Sequence, residues 1–281
     1  MDLNILCTAK PCDGLLYYSY EYCSYLNSIG IKTQLIIIPH PGFYQEDYFE
    51  SITSKYISYQ NVTFDPDRWS STTLIMGRSM MTLGYLNRNR YSMEQLLILH
   101  LLLRDNIIAV YSENHPIEYE HALEYFCPND VIDICDYEVY PNGVGEHFEK
   151  RINFNIYRPI QNDIQFEYLF NGTNKKYYTA IEKVINNYKS HGILVYDIGA
   201  IDIMNNNIII PVDNLLGIFQ TYVYTKPTFD PAPRIIQECK YFNKNIEYER
   251  DKNILDGGSV YFKRDIFDID VNPILKVIKC Q

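Results

Sequence analysis

The segment from Asp230 to Glu238 combines an arginine, two carboxylates and two prolines, in the order Asp-Pro-Ala-Pro-Arg-Ile-Ile-Gln-Glu. Proline suits the first turn of a helix, so Pro233 predicts a helix that begins beside Arg234. A helix N-terminus offers backbone N–H groups and a positive dipole end to a phosphate, and a guanidinium strengthens such a site. Glu238, four residues after Arg234, shares its helical face and could accept hydrogen bonds from ribose hydroxyls. The alternative is a surface ion pair of little energetic value.

The first half of the chain alternates strands and helices in the order that forms a parallel sheet. Apolar runs bounded by turn residues predict strands at residues 3–8, 33–39, 72–76, 107–111 and 131–135. Helices are predicted at 15–29, ending at Gly30, at 93–103 with Ser92 as N-cap, and at 116–126. Because strands such as Ile107–Tyr111 are continuously apolar, we expect helices on both faces of a doubly wound sheet.

The pattern weakens between residues 136 and 163, around a strand-like segment at 152–157, and then restarts. Strands are predicted at 166–170, 193–196, 208–212 and 246–248, and helices at 177–188, 214–224 and 233–242. The sequence therefore predicts an α/β protein of two Rossmann-like, doubly wound lobes that face a crevice, at residues 1–150 and 151–281. Ligands are expected at loops that follow strands.

The composition is that of a globular protein, with 47% hydrophobic and 21% charged residues among 281. Seven cysteines without a C-x-x-C pair predict neither a disulfide framework nor a zinc site, and the spacing of His115 and His121 predicts no other metal site. The N-terminus lacks a signal-peptide pattern, and no apolar run reaches the length of a membrane span. We therefore expect a cytoplasmic protein without a membrane partner, located in the host cytoplasm if it is viral.

The net charge of −10 opposes broad binding to nucleic acid. One stretch differs, because residues 69–93 contain no Asp or Glu and include Arg78, Arg88 and Arg90. This stretch is either a solvated basic loop or a local contact surface for a polyanion. The sequence also lacks G-x-G-x-x-G after a strand, a Walker loop and a G-x-S-x-G elbow, which disfavours nicotinamide dehydrogenases, P-loop enzymes and α/β-hydrolases.

Asp230 and Glu238, with seven residues between them, resemble the Glu-x7-Glu element in the second lobe of GT-B-fold glycosyltransferases. In that family the first carboxylate faces the donor sugar and the second holds the ribose of the nucleotide. Here the first position is Asp, and Pro-Ala-Pro-Arg replaces the family's glycine-rich turn. The later segment Leu255-Asp-Gly-Gly-Ser-Val260 is similar to one in glycosyltransferases of tailed phages that glycosylate hydroxymethylated pyrimidines in DNA.

The resemblance implies a role for the polar residues of two further loops. The loop 171–176 would bind the donor diphosphate through Thr173, Lys175 and Lys176, and the alternative is a plain exposed turn. Asp13, in the loop after the first strand, would be the catalytic base that takes the proton of an acceptor hydroxyl, and its alternative is a helix N-cap. Asp230 would be the second catalytic residue, while Arg234 and Glu238 would bind the donor.

The resemblance also implies the reaction, in which an enzyme moves a hexosyl or pentosyl group from a nucleotide sugar, expected to be a UDP-sugar, to an acceptor hydroxyl. No metal or other cofactor is expected besides this co-substrate. The phage enzymes suggest 5-hydroxymethylpyrimidine in double-stranded DNA as the acceptor, with Arg78, Arg88 and Arg90 in contact with DNA. A surface saccharide is the alternative acceptor. A non-catalytic nucleotide-binding phage factor with the same crevice is the alternative function, and the sequence indicates no oligomeric state.

Overall fold

A computed structural model describes residues 2–8, 14–39, 46, 69–70, 72–76, 91–111, 116–135, 145–149, 151–157, 159–171, 186, 193–196, 200–202, 207–209, 215–224, 234–248 and 265–279. The chain divides into two compact units. The first comprises Met1–Ile52, Ser58–Ile156 and Ile266–Gln281, and the second comprises Thr53–Ile57 and Tyr157–Asp265. Residues 151–156 and 266–281, which we had assigned to the second lobe, thus belong to the first unit.

The first unit is built on a six-stranded sheet with the strand order β2-β1-β3-β4-β5-β6. All neighbouring strands of this sheet are parallel. The elements of the unit are β1 (Asp2–Cys7), α1 (Gly14–Ser28), β2 (Lys32–Ile37), β3 (Thr72–Met76), α2 (Met93–Leu103), β4 (Asn106–Tyr111), α3 (Pro116–Phe126), β5 (Asp130–Cys135), β6 (Glu146–His147) and a 3-10 turn (Phe154–Ile156). The bounds agree closely with the prediction, although the short strand β6 was not predicted.

The winding of the chain places helices on both faces of this sheet, as predicted. From β1 the chain moves to β2 on one side, and from β3 onward it moves in the other direction. Because crossovers between parallel strands are right-handed, α1 covers one face and α2 and α3 cover the other. On that second face the helices pack against the sheet through an apolar cluster that includes Leu6, Ile36, Ile75, Leu99, Leu103, Ile107, Ala122 and Phe126.

Local sequence signals fix the ends of two helices of the first unit. After α1, Gly30 has a φ of 87°, and the N–H of Ile31 donates to the carbonyl of Leu26 at 3.0 Å. This is the left-handed helix end that glycine favours. At the start of α2, the hydroxyl of Ser92 accepts from the N–H of Gln95 at 3.1 Å, and the Gln95 side chain accepts from the N–H of Ser92 at 3.0 Å. This reciprocal capping box satisfies N–H groups that have no partner inside the helix.

The C-terminal segment returns to the first unit, which explains why the predicted division was wrong there. The N–H of Ile152 donates to the carbonyl of Ile266 at 3.1 Å, and Ile152 forms a parallel bridge with Phe267. The rings of Phe154 and Phe267 lie 5.2 Å apart at 87°. These contacts use residues 152–157, which we predicted as strand-like but which contain the 3-10 turn. The segment ends in the helix α6 (Asn272–Lys279), which was not predicted.

The second unit contains a six-stranded sheet with the order β10-β9-β8-β7-β11-β12. Strands β8, β7, β11 and β12 are parallel, whereas β8, β9 and β10 form antiparallel pairs, so this sheet is mixed and not purely parallel. The elements are β7 (Phe166–Asn171), β8 (Ile193–Tyr196), β9 (Ala200–Asp202), β10 (Asn207–Ile209), α4 (Leu215–Ile218), β11 (Phe219–Tyr224), α5 (Arg234–Tyr241) and β12 (Asn245–Tyr248). Of the helix predicted at 177–188, only Asn186 is described, and it is helical.

The helix predicted at 214–224 is the largest error in the second unit. Only Leu215–Ile218 are helical, and Phe219–Tyr224 form strand β11, which is buried except at Gln220. The sequence Phe-Gln-Thr-Tyr-Val-Tyr is rich in aromatic and β-branched residues, which favour strands. A short apolar run does not distinguish a buried strand from a helix by its period, so the neighbours β7 and β12 decided the outcome.

Within the parts of the chain that the structure describes, no helix is long and apolar enough to cross a membrane.

Candidate functional site

The second sheet changes its direction of winding between β7 and β11. After β7 the chain continues on one side to β8, and it later returns to β11 on the other side of β7. In open α/β sheets, ligands bind outside the carboxyl ends of the strands at such a switch point. The segments that follow β7 and β11 are the two that the sequence analysis selected in this half of the chain. Because residues 219–224 are a strand, the Asp230–Glu238 segment follows β11, which has a neighbouring strand on each side.

Arg234 and Glu238 contact each other directly on helix α5. The Nε of Arg234 donates to Oε1 of Glu238 at 2.9 Å, as expected for residues four positions apart on one helical face. Arg234 is 8% exposed and Glu238 is 2% exposed, so the pair is buried. The alternative of a surface ion pair is therefore wrong, since the two side chains do pair but do so away from solvent.

Tyr157 completes the cluster from a distant part of the chain. Its hydroxyl donates to Oε1 of Glu238 at 3.1 Å and accepts a short hydrogen bond from Nη2 of Arg234. The Arg234 guanidinium carbon lies 5.8 Å from the centre of the Tyr157 ring, within the range of a cation–π contact. The Tyr157 ring in turn lies 5.8 Å from the ring of Phe242. We call Tyr157, Arg234 and Glu238 the α5 cluster.

The burial of the α5 cluster has an energetic meaning. Taking two charges out of water costs roughly several kcal/mol for each ion. The mutual attraction of the charges offsets this cost only if their geometry is good and additional hydrogen bonds are present. Here Oε1 of Glu238 accepts from both Arg234 and Tyr157. Such an arrangement holds the guanidinium and the carboxylate in one fixed orientation, which is what a binding site requires.

The environment behind the cluster shifts the pKa values of two neighbouring groups. Burial raises the pKa of the Cys239 thiol well above its ordinary value, the Glu238 carboxylate raises it further, and Lys244 acts in the opposite direction. Burial lowers the pKa of the Lys244 ammonium, whose Nζ donates to Oδ1 of Asn162 at 3.2 Å. Cys239 is therefore a neutral thiol on the buried face of helix α5 at physiological pH, and it is no candidate for a nucleophile.

The end of helix α5 is fixed by a non-glycine residue. Asn243 has a φ of 54°, and the N–H of Lys244 donates to the carbonyl of Cys239 at 2.8 Å. Asparagine is one of the few residues that adopt this left-handed conformation readily. The helix spans Arg234–Tyr241, with Arg234 and Glu238 on its first two turns.

The first sheet has its own switch point, between β1 and β3. The segment after β1 includes Asp13, and the segment after β3 includes Arg78, Arg88 and Arg90. These four candidate residues lie outside the described residues. The same holds for Asp230 and for the loop residues Thr173, Lys175 and Lys176. Of the site residues selected from the sequence, the structure thus describes Arg234 and Glu238, and it brings these two together.

Tyr157 is the site residue that the sequence analysis missed. It lies 77 residues before Arg234, at the end of the segment 152–157 that the sequence predicts as strand-like. A signal was present in the chemistry alone, because a buried arginine and carboxylate need further hydrogen-bonding groups. The sequence does not indicate which of the 27 tyrosines supplies the hydroxyl.

The sequence matches no family model, and no curated protein matches it. Among solved structures, the chain is similar to the glycosyltransferase SsfS6 of Streptomyces sp. SF2575, with 9% sequence identity and a TM-score of 0.38 over 79% of this chain and 75% of that chain.

Proposed function

We propose that the protein is a glycosyltransferase that binds a nucleotide sugar at the carboxyl edge of its second sheet. The observation that carries this proposal is the position of the Arg234–Glu238 pair, on the helix that follows β11 at the β7/β11 switch point. A switch point favours a ligand, and a helix N-terminus that begins with arginine favours phosphate. A carboxylate one turn later adds an acceptor for hydroxyl groups.

Each member of the α5 cluster has a distinct part in the proposed donor site. Arg234, the first residue of α5, contacts the diphosphate together with the N–H groups of the first turn. Glu238 accepts hydrogen bonds from the ribose hydroxyls, while its Oε1 accepts from Arg234 and Tyr157 and so keeps the carboxylate in place. Tyr157 positions both side chains. Thr173, Lys175 and Lys176, after β7, close on the same diphosphate in this proposal.

The proposed transfer needs one bond to form and one to break. An oxygen of the acceptor hydroxyl attacks the anomeric carbon, the bond from that carbon to the diphosphate breaks, and the hydroxyl proton passes to Asp13. Asp230 faces the donor sugar. Most of the rate enhancement comes from positioning the reactants and from stabilising the charge on the leaving diphosphate by Arg234 and the helix N-terminus.

The finer parts of the proposal concern the donor and acceptor. We assign a UDP-sugar as the donor and the hydroxymethyl group of a 5-hydroxymethylpyrimidine in DNA as the acceptor. The donor assignment rests on the resemblance of the Asp230–Glu238 segment to the Glu-x7-Glu element of GT-B-fold glycosyltransferases. The acceptor assignment rests on the resemblance of the Leu255–Val260 segment to glycosyltransferases of tailed phages. Arg78, Arg88 and Arg90 would contact DNA phosphates locally, which a protein of net charge −10 needs if it is to bind DNA.

The donor assignment is tested by incubating the protein with UDP- and GDP-sugars and measuring released nucleoside diphosphate, with calorimetry for binding. We expect Asp13→Asn to lose turnover while retaining donor affinity, and Asp163→Asn, an exposed carboxylate in the same chain, to change neither. Donor binding without turnover in the wild type, with any acceptor, would indicate the non-catalytic nucleotide-binding alternative. No affinity for any nucleotide sugar would refute the proposed function.

The acceptor is tested by treating hydroxymethylated DNA with protein and mixed donors and analysing the nucleosides by mass spectrometry. A mass increase of one hexose or pentose would identify the acceptor and the sugar class together. Glutamine at Arg78, Arg88 and Arg90 should reduce DNA modification and its salt dependence, because phosphate contacts release counterions. Lys32→Gln, which removes an exposed positive charge at the start of β2, is the matched control. Donor turnover with a saccharide but not with DNA would establish the alternative acceptor.

A further inference from the structure

Helix α2 carries apolar residues on the face that it turns away from its own sheet. Its buried face consists of Leu99, Leu102 and Leu103. On the outer face Met93 is 81% exposed, Leu97 is 62% exposed and Leu101 is 42% exposed. A surface helix ordinarily places polar residues on its outer face, and a helix that is apolar on all sides is ordinarily buried on all sides. The outer face of α2 is therefore a candidate contact surface.

The three exposed residues form one continuous stripe. They follow each other at intervals of four positions, so their side chains line up along the helix. Glu94 lies beside the stripe near its N-terminal end, and Arg104 lies at its C-terminal end, and both are exposed. His100 borders the stripe and packs its ring against Tyr125 and Phe126, at 5.3 and 5.1 Å between ring centres. We use the name α2 stripe for these three apolar residues together with the two charged residues at their ends, that is, for Met93, Glu94, Leu97, Leu101 and Arg104.

We propose that the α2 stripe is where a second copy of this chain docks, with the two α2 helices antiparallel about a two-fold axis between Leu97 and Leu101. This register places Leu97 of each copy against the partner's Leu101. It also places Glu94 opposite the partner's Arg104, at both ends of the contact. The interface is isologous, the commonest arrangement among homo-oligomers.

The charges on the stripe favour a second copy over an unrelated occupant. An acidic residue at one end and a basic residue at the other are complementary to the same stripe in reverse, whereas a parallel arrangement would oppose like charges. Arg104 donates to its neighbour Asp105 from Nε at 3.2 Å and from Nη2 at 3.4 Å. A guanidinium has five N–H donors, so others remain for a second carboxylate. One helix pair buries less area than a permanent interface, so we expect a weak dimer that depends on concentration.

Sedimentation velocity of the full chain, over a concentration range up to about 100 µM that suits a small interface, tests the proposal. We expect a monomer–dimer equilibrium in the wild type. Leu97→Lys should abolish the dimer, because it places two lysines in an apolar contact. Glu94→Arg and Arg104→Glu should each raise the dissociation constant by about tenfold or more. The double variant E94R/R104E should restore dimerisation, because it exchanges the two charges and keeps the pairs.

Lys32→Glu, which changes an exposed charge at the start of β2, is the matched control, and circular dichroism establishes that each variant is folded. A wild type that stays monomeric over the whole range overturns the proposal. A dimer that Leu97→Lys leaves intact, or whose charge reversals are not rescued by the double variant, overturns it as well. The proposal is independent of the proposed function, because none of the variants touches a residue assigned to the donor or the acceptor.

Discussion

The guanidinium of Arg234 and the carboxylate of Glu238 form a buried ion pair, in which Nε donates to Oε1 at 2.9 Å one helical turn away. The hydroxyl of Tyr157 bonds to both members of this pair. A pair of this kind is rigid because each partner is costly to bury alone. These hydrogen bonds connect the start of helix α5 with a segment that precedes the second sheet. Substitutions in the cluster should therefore change the stability of the fold as well as ligand binding.

Replacing Arg234 with alanine should destabilise the fold strongly, because Glu238 would remain buried without its cationic partner. Breaking a buried pair by removing one member costs about 3–5 kcal/mol. Urea denaturation measures this as a lower midpoint. The double variant R234M/E238L should recover much of the loss, since it removes both charges and keeps apolar volume. A single variant as stable as the wild type would mean that the pair is not buried in solution.

Removal of the Tyr157 hydroxyl should have a smaller effect on stability and a clear effect on the donor site. Tyr157→Phe leaves the Arg234–Glu238 pair in place but deletes a hydrogen bond to each member, at a cost of about 1–3 kcal/mol. If Tyr157 positions the proposed donor ligands, calorimetry should also show weaker binding of the nucleotide sugar. Tyr241→Phe, on an exposed ring of the same helix, is the control. Unchanged stability and affinity in Tyr157→Phe would contradict the bonding scheme of the cluster.

Gly145 should tolerate no side chain. Its φ is 87°, and a Cβ at this position would lie 2.6 Å from Cβ of Asp133 and closer still to the Asp133 carbonyl. Gly145→Ala therefore adds a steric clash to an unfavourable backbone conformation, which alone costs about 1 kcal/mol or more. We expect a lower midpoint of thermal unfolding. Gly14→Ala meets no neighbouring atom within 4 Å and should have little effect.

Stability should fall at alkaline pH through the thiol of Cys239. The unfolded chain releases this proton above about pH 8.5, whereas burial raises the pKa of the folded thiol well above that value. Above that pH the folded state therefore holds a proton that the unfolded state has lost, and the free energy of unfolding decreases by up to about 1.4 kcal/mol per pH unit. Below about pH 8.5 the folded and the unfolded chain both hold this proton, so the thiol causes no loss of stability there.

The lowered pKa of Lys244 acts with the opposite sign, because its unfolded form keeps a proton that the folded form releases as the pH rises. Urea denaturation of wild type and Cys239→Ala between about pH 8.5 and pH 10 isolates the thiol. We expect a smaller alkaline loss of stability in Cys239→Ala than in the wild type. Cys127→Ala, at an exposed thiol, should follow the wild type. Parallel pH profiles for wild type and Cys239→Ala would contradict the assigned cause.

Local sequence signals predicted much of the first sheet. Ser92 and Gln95 determine where α2 begins, and Gly30 determines where α1 stops, because caps depend on residues that lie within a few positions of each other. The strand around Leu74 is buried over its whole length, and Ile107, Ile108 and Ala109 of its neighbour are buried as well, which suits a sheet covered on both faces. Errors appeared where pairing with distant residues decided the outcome, as in strand β11 and in the C-terminal segment that pairs with Ile152.

The sequence by itself determined the alternation of strands and helices in the first sheet, the ends of the capped helices and the common helical face of Arg234 and Glu238, because each depends on residues that lie close together in the sequence. Only the tertiary structure decided that this pair is buried, that Tyr157 bonds to both members, and that the segment before them follows a central strand. These features depend on strand order and on contacts between residues more than 70 positions apart, such as Tyr157 and Arg234. Local propensity carries no information about such contacts, since packing against distant neighbours provides most of their free energy.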